Sequence, residues 1–251
     1  MKPFFAALRF LTLMRVPSAW CGDEADLSRS LNWYAVVGLL IGIGMALLDQ
    51  VLCALLPGTL LPSALLVVAL IAVSGGLHLD GVADSADAFM SSRPRAAMLT
   101  IMQDSSVGAM GALSIASLLL LKFAALASLT GAARWAVILL IPLAGRAALV
   151  LPLVMLPYAR PGGLAELTRQ QARPRHAWSA ALLLLLSATL LLHTCGAIIA
   201  ATVLLVTLLF GCYCRNKIGG FTGDTLGATC ELAELITVIV ALLVLHLGKG
   251  G

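Results

Sequence analysis

Three carboxylates follow a glycine pair and an apolar run within residues 75–90, GGLHLDGVADSADAFM. Asp80, Asp84 and Asp87 stand at spacings i, i+4 and i+7, which on a helix place them at about 0°, 40° and −20° around the axis. Carboxylates one turn apart repel one another unless a positive charge lies between them. Because Mg²⁺ takes oxygen ligands and shares them with substrate phosphates, the stripe predicts a magnesium site. The competing interpretation is a solvated acidic helix face.

A second acidic segment covers residues 219–234, GGFTGDTLGATCELAE. If it is helical from Asp224, then Asp224, Glu231 and Glu234 share one stripe with Gly227, which permits close approach of a ligand or helix. These acids are predicted metal ligands. Asp224 and Glu231, with Asp80 and Asp84, are also the catalytic candidates, one of which would act as the base. Acids that start an apolar helix also stabilise its dipole, which is the structural alternative. The entry to the segment is predicted to bind phosphate through Thr222, Gly223 and Thr225.

Two further candidates lie beside these segments. Asp104, in MQDSSVG, precedes an apolar run and is either a fourth metal ligand or a helix N-cap. His78 would fall opposite Asp80 on a continuous helix. It is therefore a substrate-binding candidate only if the helix breaks at Gly75 and Gly76.

Basic residues supply candidate phosphate contacts. Most of them serve as positive charges beside a membrane, but four are selected for substrate binding. These are Arg93, Arg95, Arg160 and Lys217. Arg146 lies deep in an apolar stretch, where a charge needs a partner or a wet cavity. Lys122 is expected to extend towards the membrane surface and is given no role.

The composition requires a membrane setting for these residues. Of 251 residues, 61% are apolar and 11% are charged, and the mean hydropathy is +1.02. Apolar runs of about 18 residues recur, each long enough to cross a bilayer core of ~30 Å. The sequence predicts an all-α, polytopic membrane helix bundle forming a single integral membrane domain, 1–251. The modest positive charge is no nucleic-acid signal.

We predict about seven transmembrane helices and an N-terminal interfacial amphipathic helix, in which apolar residues recur beside Lys2, Arg9 and Arg15. The predicted spans are 34–56, 61–79, 107–129, 134–156, 178–195, 197–214 and 231–247. The fifth and sixth are separated at a hairpin near residues 194–196, because 38 continuous helical residues would be about 57 Å long.

Charge placement predicts the orientation. With a cytoplasmic N-terminus, 12 of the 16 basic residues fall in cytoplasmic segments and two, Arg134 and Lys249, fall on the opposite side. Seven of the 12 acidic residues lie in two segments, around Asp80 and Asp224, and both segments fall on the cytoplasmic side in this topology. The candidate site is therefore expected to face the cytoplasm, and carboxylates with a hard metal and basic residues favour phosphoryl-group chemistry.

The sequence resembles the cobalamin synthase family. The matching stretches are GGLHLDGVADSADAF at 75–89, MQDSSVGAMGAL at 102–113, GRAALVLPLVMLPYAR at 145–160 and GGFTGDTLGATCELAEL at 219–235, with FLTLMRVPSAW near the start. The likeness covers essentially the whole chain. One departure is Pro161 after Arg160, where an acidic residue is common.

The resemblance implies an adenosylcobinamide-GDP ribazoletransferase in the final stage of cobalamin biosynthesis. Adenosylcobinamide-GDP and α-ribazole, or its 5′-phosphate, would give adenosylcobalamin, or its 5′-phosphate, and GMP. It also implies Mg²⁺ dependence, a place in the bacterial inner membrane among membrane lipid, and a complex with other nucleotide-loop assembly enzymes. Mg²⁺ on Asp80, Asp84, Asp87 and Asp224 would hold the pyrophosphate during in-line attack by the ribazole hydroxyl.

Two other functions compete with this one. A CDP-alcohol-type lipid phosphotransferase also binds metal through membrane-helix carboxylates, but its pattern needs an arginine where Asp84 stands here. A cation transporter would place ionisable groups near the membrane midplane. In this chain the acids lie at one interface, and only Arg146 is clearly deep.

Overall fold

The computed structural model describes residues 1–22, 26, 29–160 and 164–247. Within these ranges the chain is built from helices and connecting segments, which confirms the predicted all-α class. The helices are α1 (Lys2–Leu11), α2 (Ser18–Cys21), α3 (Leu31–Leu55), α4 (Leu60–Ser74), α5 (Leu77–Met90), α6 (Arg95–Ile101), α7 (Ala109–Ser128), α8 (Arg134–Met155), α9 (Leu164–Gln171), α10 (Pro174–Ile218) and α11 (Gly223–Leu247).

Helix α8 lies at the centre of the bundle. Its residues are apolar almost all round, and nearly all of them are buried, as expected for a helix with no polar face. It packs against α3, α10 and α11. Gly38 and Gly42 of α3 contact its main chain so closely that a Cβ at either position would overlap a carbonyl oxygen. This core fixes the helices that carry the acidic segments.

Five described helices are long and apolar enough to cross a membrane: α3, α7, α8, α10 and α11. The pair α4–α5 meets the same criterion together, but is bent by 90°. With α10 counted as one helix, the described residues give five candidate spans, or six with the bent pair, and the predicted count of seven is not confirmed. Several long apolar helices in one chain identify a multi-pass membrane protein.

Helix α10 contains a break at His193, whose backbone angles are φ 52° and ψ −131°. Gly196 contacts the main chain of Ala188, and a Cβ at Gly196 would overlap the Ala188 carbonyl. Residues eight positions apart in a continuous helix are about 12 Å apart along the axis. The chain therefore reverses direction near His193, close to where the sequence predicts a hairpin.

Two predicted boundaries are wrong. The span predicted at 61–79 ends at Ser74, because Gly75 and Gly76 both adopt left-handed angles, with φ of 63° and 76°. The last helix begins at Gly223, ahead of the predicted start at 231. Both differences place acidic residues within helices, Asp80 on α5 and Asp224 on α11.

The predicted N-terminal helix is present as α1 and packs on α3. Ring contacts join the two helices, with centroid distances of 5.4 Å for Phe4–Trp33 and 6.0 Å for Phe10–Tyr34. After α1 the Leu13 N–H donates to the Val73 carbonyl at 2.8 Å. The end of α1 is thereby fixed beside the α4–α5 bend. Its place at the membrane interface stays a prediction.

Candidate active site

The glycine pair before α5 directs that helix across the end of the bundle. Left-handed backbone angles are costly for residues with a Cβ, so Gly75 and Gly76 are the residues that permit the 90° bend. The bend starts α5 at Leu77 and puts His78 in its first turn. His78 is buried, and its Nδ1 has no hydrogen-bond partner among the described residues. The helix break that a substrate-binding role for His78 requires is therefore present.

Two glycines bring α5 and α11 together. A Cβ at Gly81 would overlap the main-chain carbonyl of Asp224, and a Cβ at Gly227 would lie 3.1 Å from the His78 carbonyl oxygen. Helices approach this closely only where side chains are absent. As a result Asp80 and Asp84 of α5 lie near Asp224, from a segment about 140 residues later.

A short main-chain pairing brings Arg160 to the same place. Tyr158 and Phe221 form an isolated parallel bridge, in which Phe221 N–H donates to Pro157 O at 3.0 Å and Ala159 N–H donates to Phe221 O at 2.8 Å. Arg160 follows this bridge and donates from Nη2 to Asp224 Oδ2 at 2.5 Å. Its buried Nε has no partner within the described part of the chain. A guanidinium with a free donor is thus fixed beside a carboxylate.

The residues at the start of α11 have two different roles: some stabilise the helix, and others lie at the candidate site. The Thr222 N–H donates to Thr225 Oγ1 at 2.8 Å, and the Thr225 N–H donates to Thr222 Oγ1 at 3.3 Å. This reciprocal pair caps the helix. The Thr222 hydroxyl also donates to Asp224 Oδ2 at 3.2 Å. The buried threonines therefore stabilise the helix start, whereas Gly223 is exposed and has open space around its Cα.

A cavity of 260 Å³ lies beside these residues, and we call it the inner cavity. His78, Asp80 and Asp224 are among its polar lining residues, and Gly223 lies at the same wall. Most of the remaining lining is apolar and comes from α1, α3, α8 and α11, including Leu149 and Leu153. Such a cavity combines a few converging polar groups with an apolar interior, which is the usual character of a small-molecule site.

Asp87 has a different environment from Asp80 and Asp84. Its two carboxylate oxygens accept hydrogen bonds from the N–H groups of Gly108, at 2.7 Å, and Gly111, at 2.9 Å. These are orphan donors at the N-terminus of α7. Both oxygens of Asp87 are therefore used to cap another helix, and the geometry does not support the prediction that Asp87 is a metal ligand.

Asp104 forms its hydrogen bonds within its own loop. Its Oδ1 accepts bonds from the Ser106 N–H at 2.9 Å and the Ser106 hydroxyl at 2.8 Å. These bonds hold the pKa of the exposed Asp104 carboxyl below its ordinary value, and the bond from the Ser106 backbone N–H has the largest effect. The expectation that Asp104 caps α7 is wrong, because Asp87 supplies that cap. Nothing in the described contacts brings Asp104 to the other carboxylates as a fourth ligand.

Glu231 and Glu234 form a buried ion-pair cluster with two cations. Lys122 Nζ donates to Glu231 Oε2 at 2.6 Å and to Glu234 Oε2 at 2.8 Å. Arg146 Nη1 donates to Glu234 Oε1. The partner that Arg146 was expected to need is therefore Glu234. The expectation that Lys122 extends to the membrane surface is wrong. The predicted metal-ligand roles of Glu231 and Glu234, and the catalytic role of Glu231, are not supported by these contacts.

Three predicted phosphate contacts do not line the inner cavity. Arg93 is exposed. Arg95 lies against Gly219, where a Cβ would be 2.8 Å from its Cζ. Lys217 Nζ is 5.7 Å from the centre of the Tyr213 ring, a cation–π contact. Arg160 is the one member of the predicted basic set that contacts a site carboxylate in the described structure.

The carboxylates near the inner cavity fit Mg²⁺ better than a metal that needs a complete protein cage. Among the described residues, no group of three or more His, Cys, Asp or Glu side chains forms a ready metal site. Mg²⁺ does not need one, because it keeps several waters and binds through one or two carboxylates and substrate phosphates. Asp80 and Asp84 form no ion pair among the described residues, so their oxygens are available for such a cation.

Comparison with known proteins identifies the family. The model of the family described as cobalamin-5-phosphate synthase matches residues 3–242. Three relatives, each named adenosylcobinamide-GDP ribazoletransferase, come from Roseiflexus sp., Pseudomonas putida and Pseudomonas fluorescens. They are 38%, 39% and 40% identical to this chain, covering 94%, 95% and 95% of it and 87%, 98% and 98% of the relative. No solved structure matches. The chain belongs to the cobalamin-5-phosphate synthase family.

Proposed function

We propose that this protein joins adenosylcobinamide-GDP to α-ribazole or its 5′-phosphate, giving adenosylcobalamin or its 5′-phosphate and GMP. The name shared by the relatives supports this reaction and places it in cobalamin biosynthesis. The observation that carries the proposal is the approach of Asp224 to Asp80 and Asp84 at the inner cavity. The reaction forms a bond between the ribazole 3′-oxygen and the cobinamide-side phosphorus and breaks that phosphorus's bond to GMP.

We further propose a Mg²⁺-dependent phosphotransferase mechanism. Asp80, Asp84 and Asp224 would hold the metal, which when bound neutralises charge on the pyrophosphate. Glu231 and Glu234 are left out of this ligand set because Lys122 binds both. Asp87 is left out because its two oxygens cap the N-terminus of α7. Asp104 is left out because its Oδ1 accepts bonds from Ser106 in its own loop.

The residues around Asp224 are suited to bind the pyrophosphate. Arg160 contacts the Asp224 carboxylate and keeps an unpartnered Nε. The N-terminus of α11 offers N–H groups and a positive dipole end next to exposed Gly223. Asp80 or Asp84, without a cationic partner in the described structure, would accept the proton from the attacking hydroxyl. His78 would contact the substrate within the inner cavity.

The proposed setting is the bacterial inner membrane, with the site at its cytoplasmic face. The 12-to-2 distribution of basic residues in the predicted topology supports this orientation. Surrounding lipid, and a complex with other nucleotide-loop assembly enzymes, belong to the same proposal. The lipid phosphotransferase and the cation transporter are not favoured, because the relatives carry the name of a ribazoletransferase.

The test uses purified protein in lipid with adenosylcobinamide-GDP and α-ribazole 5′-phosphate. GMP and the corrinoid product are measured with Mg²⁺ and with EDTA. We expect equal amounts of GMP and corrinoid product with Mg²⁺ and neither with EDTA. Asp80→Asn should lower turnover at least about 100-fold, while Asp104→Asn, which changes an exposed acid that does not line the inner cavity, should be close to wild type. Metal-independent turnover, or an active Asp80→Asn protein, would contradict the metal mechanism.

A further inference from the structure

Asp80 lies in the wall between two cavities. Besides the inner cavity, there is an open cleft of 580 Å³, and Phe10, Leu77 and Asp80 line both spaces. We call it the outer cleft. It is bounded by the end of α1, the α4–α5 bend and the start of α7, and Arg9 and Val107 line it. A reacting group at Asp80 is therefore accessible from two directions.

The two spaces differ in size and chemistry. The inner cavity is smaller, is covered by α9 through Ala165, and is mostly apolar. Its volume suits a fused aromatic base and excludes a corrin macrocycle, which is far larger. The outer cleft is more than twice as large, is open, and has Arg9 among its lining residues. A guanidinium group binds phosphate oxygens well.

The geometry of phosphoryl transfer relates the two spaces to the two groups that exchange at the phosphorus. The attacking and leaving oxygens lie roughly in line, on opposite sides of the phosphorus. With the phosphorus at Asp80, the two adjoining spaces can hold the nucleophile and the leaving group separately. The size and polarity of each space then indicate which one holds the nucleophile and which one holds the leaving group.

We infer that the inner cavity binds the aromatic base of the ribazole and that the outer cleft binds the GMP half of the activated corrinoid, with Arg9 contacting its phosphate. This rests on the proposed function. The ribazole 3′-oxygen attacks from the inner side, its proton passes to Asp80 or Asp84, and GMP leaves with the bonding electron pair into the outer cleft. The corrin extends from the reacting phosphorus out of the open side of the cleft.

The test separates the two substrates by steady-state kinetics. Ala165→Phe, which fills the inner cavity, should raise the KM for α-ribazole 5′-phosphate at least about tenfold and leave that for adenosylcobinamide-GDP unchanged. Val107→Trp, which fills the outer cleft, should do the reverse. Val51→Trp is the matched control on α3, because Val51 and Val107 are both 54% exposed. Ala172→Phe is the control for Ala165→Phe, since Ala172 is also partly buried and does not line the cavity.

Arg9 provides a second readout that does not depend on turnover. GMP binding to the lipid-embedded protein should weaken about tenfold or more in Arg9→Ala and not in Arg15→Ala, an exposed arginine outside both cavities. GMP should compete with adenosylcobinamide-GDP and not with ribazole phosphate. If both filling variants raise the same KM, or Arg9→Ala leaves GMP binding unchanged, the inference is overturned while the proposed function stands. An inactive wild-type protein would overturn both together.

Discussion

Gly81 of α5 lies against the main-chain carbonyl of Asp224 at the start of α11, with no room for a Cβ between them. The absence of a side chain at Gly81 permits this close approach of the two carboxylate segments, and attraction between their acidic side chains does not produce it. Carboxylates repel at short range, so the close approach must be stabilised by packing elsewhere along the two helices. Gly227 extends the same contact to the main chain of His78.

Gly81→Ala tests this contact. The added methyl group should force α5 and α11 apart, and displacement of the carboxylates by about 1 Å should lower turnover roughly 100-fold. Turnover is measured together with thermal unfolding in detergent. Gly44→Ala on α3 is the matched control, because a Cβ there meets nothing within 4 Å. That control should keep full activity and gain up to about 1 kcal/mol of stability. An active Gly81→Ala protein would show that the close approach is not needed.

Lys122→Met should destabilise the folded protein by about 3–5 kcal/mol, because it leaves Glu231 and Glu234 buried without one of their cations. The free energy of unfolding is measured in a mild detergent. Lys2→Met removes an exposed lysine from α1 and should change stability by less than about 0.5 kcal/mol. The double variant Lys122→Met/Glu231→Gln should recover part of the loss, since one uncompensated charge is removed. A loss equal to that of Lys2→Met would mean that the cluster contributes no stability.

The helical stripe of Asp80 and Asp84, and its approach to the segment of Asp224, follow from the sequence. Acid spacing predicts the stripe, and the charge of the flanking loops predicts that both segments lie at one membrane face. The glycine pair before α5 permits a bend, but the predicted span 61–79 runs through it, so the bend itself is found only in the structure.

Other roles depend on partners that are distant in sequence. Lys122 meets Glu231 and Glu234 from 109 and 112 residues away, and an isolated lysine in an apolar span gives no indication of which acid it binds. A usable signal is that two acids and a lysine within apolar helices each need a partner. Asp87 caps α7 from an earlier helix, whereas the local pattern favoured the nearby Asp104.

Arg160→Ala should raise the KM for adenosylcobinamide-GDP about tenfold or more, because a charge-assisted contact with the pyrophosphate is lost and Asp224 loses its cation. Arg160→Lys keeps the charge but not the planar donors, and its KM should lie between those of the wild type and Arg160→Ala. Arg215→Ala removes an exposed arginine at the end of α10 and should behave as wild type. Kinetics with each substrate varied in turn provide the measurement. An unchanged KM in Arg160→Ala would assign Arg160 a structural role only.

Asp84 and Asp87 are one turn apart on α5, both partly buried, and should respond oppositely to the same substitution. Asp84→Ala should raise the Mg²⁺ concentration for half-maximal turnover at least about tenfold with little effect on unfolding, because it removes a proposed metal ligand. Asp87→Ala should leave the Mg²⁺ requirement unchanged and lower stability by about 1 kcal/mol, because the N–H groups of Gly108 and Gly111 lose their acceptor. Mg²⁺ titrations and unfolding curves on both proteins decide the assignment. A shifted Mg²⁺ requirement in Asp87→Ala would return Asp87 to the metal site that its spacing predicts.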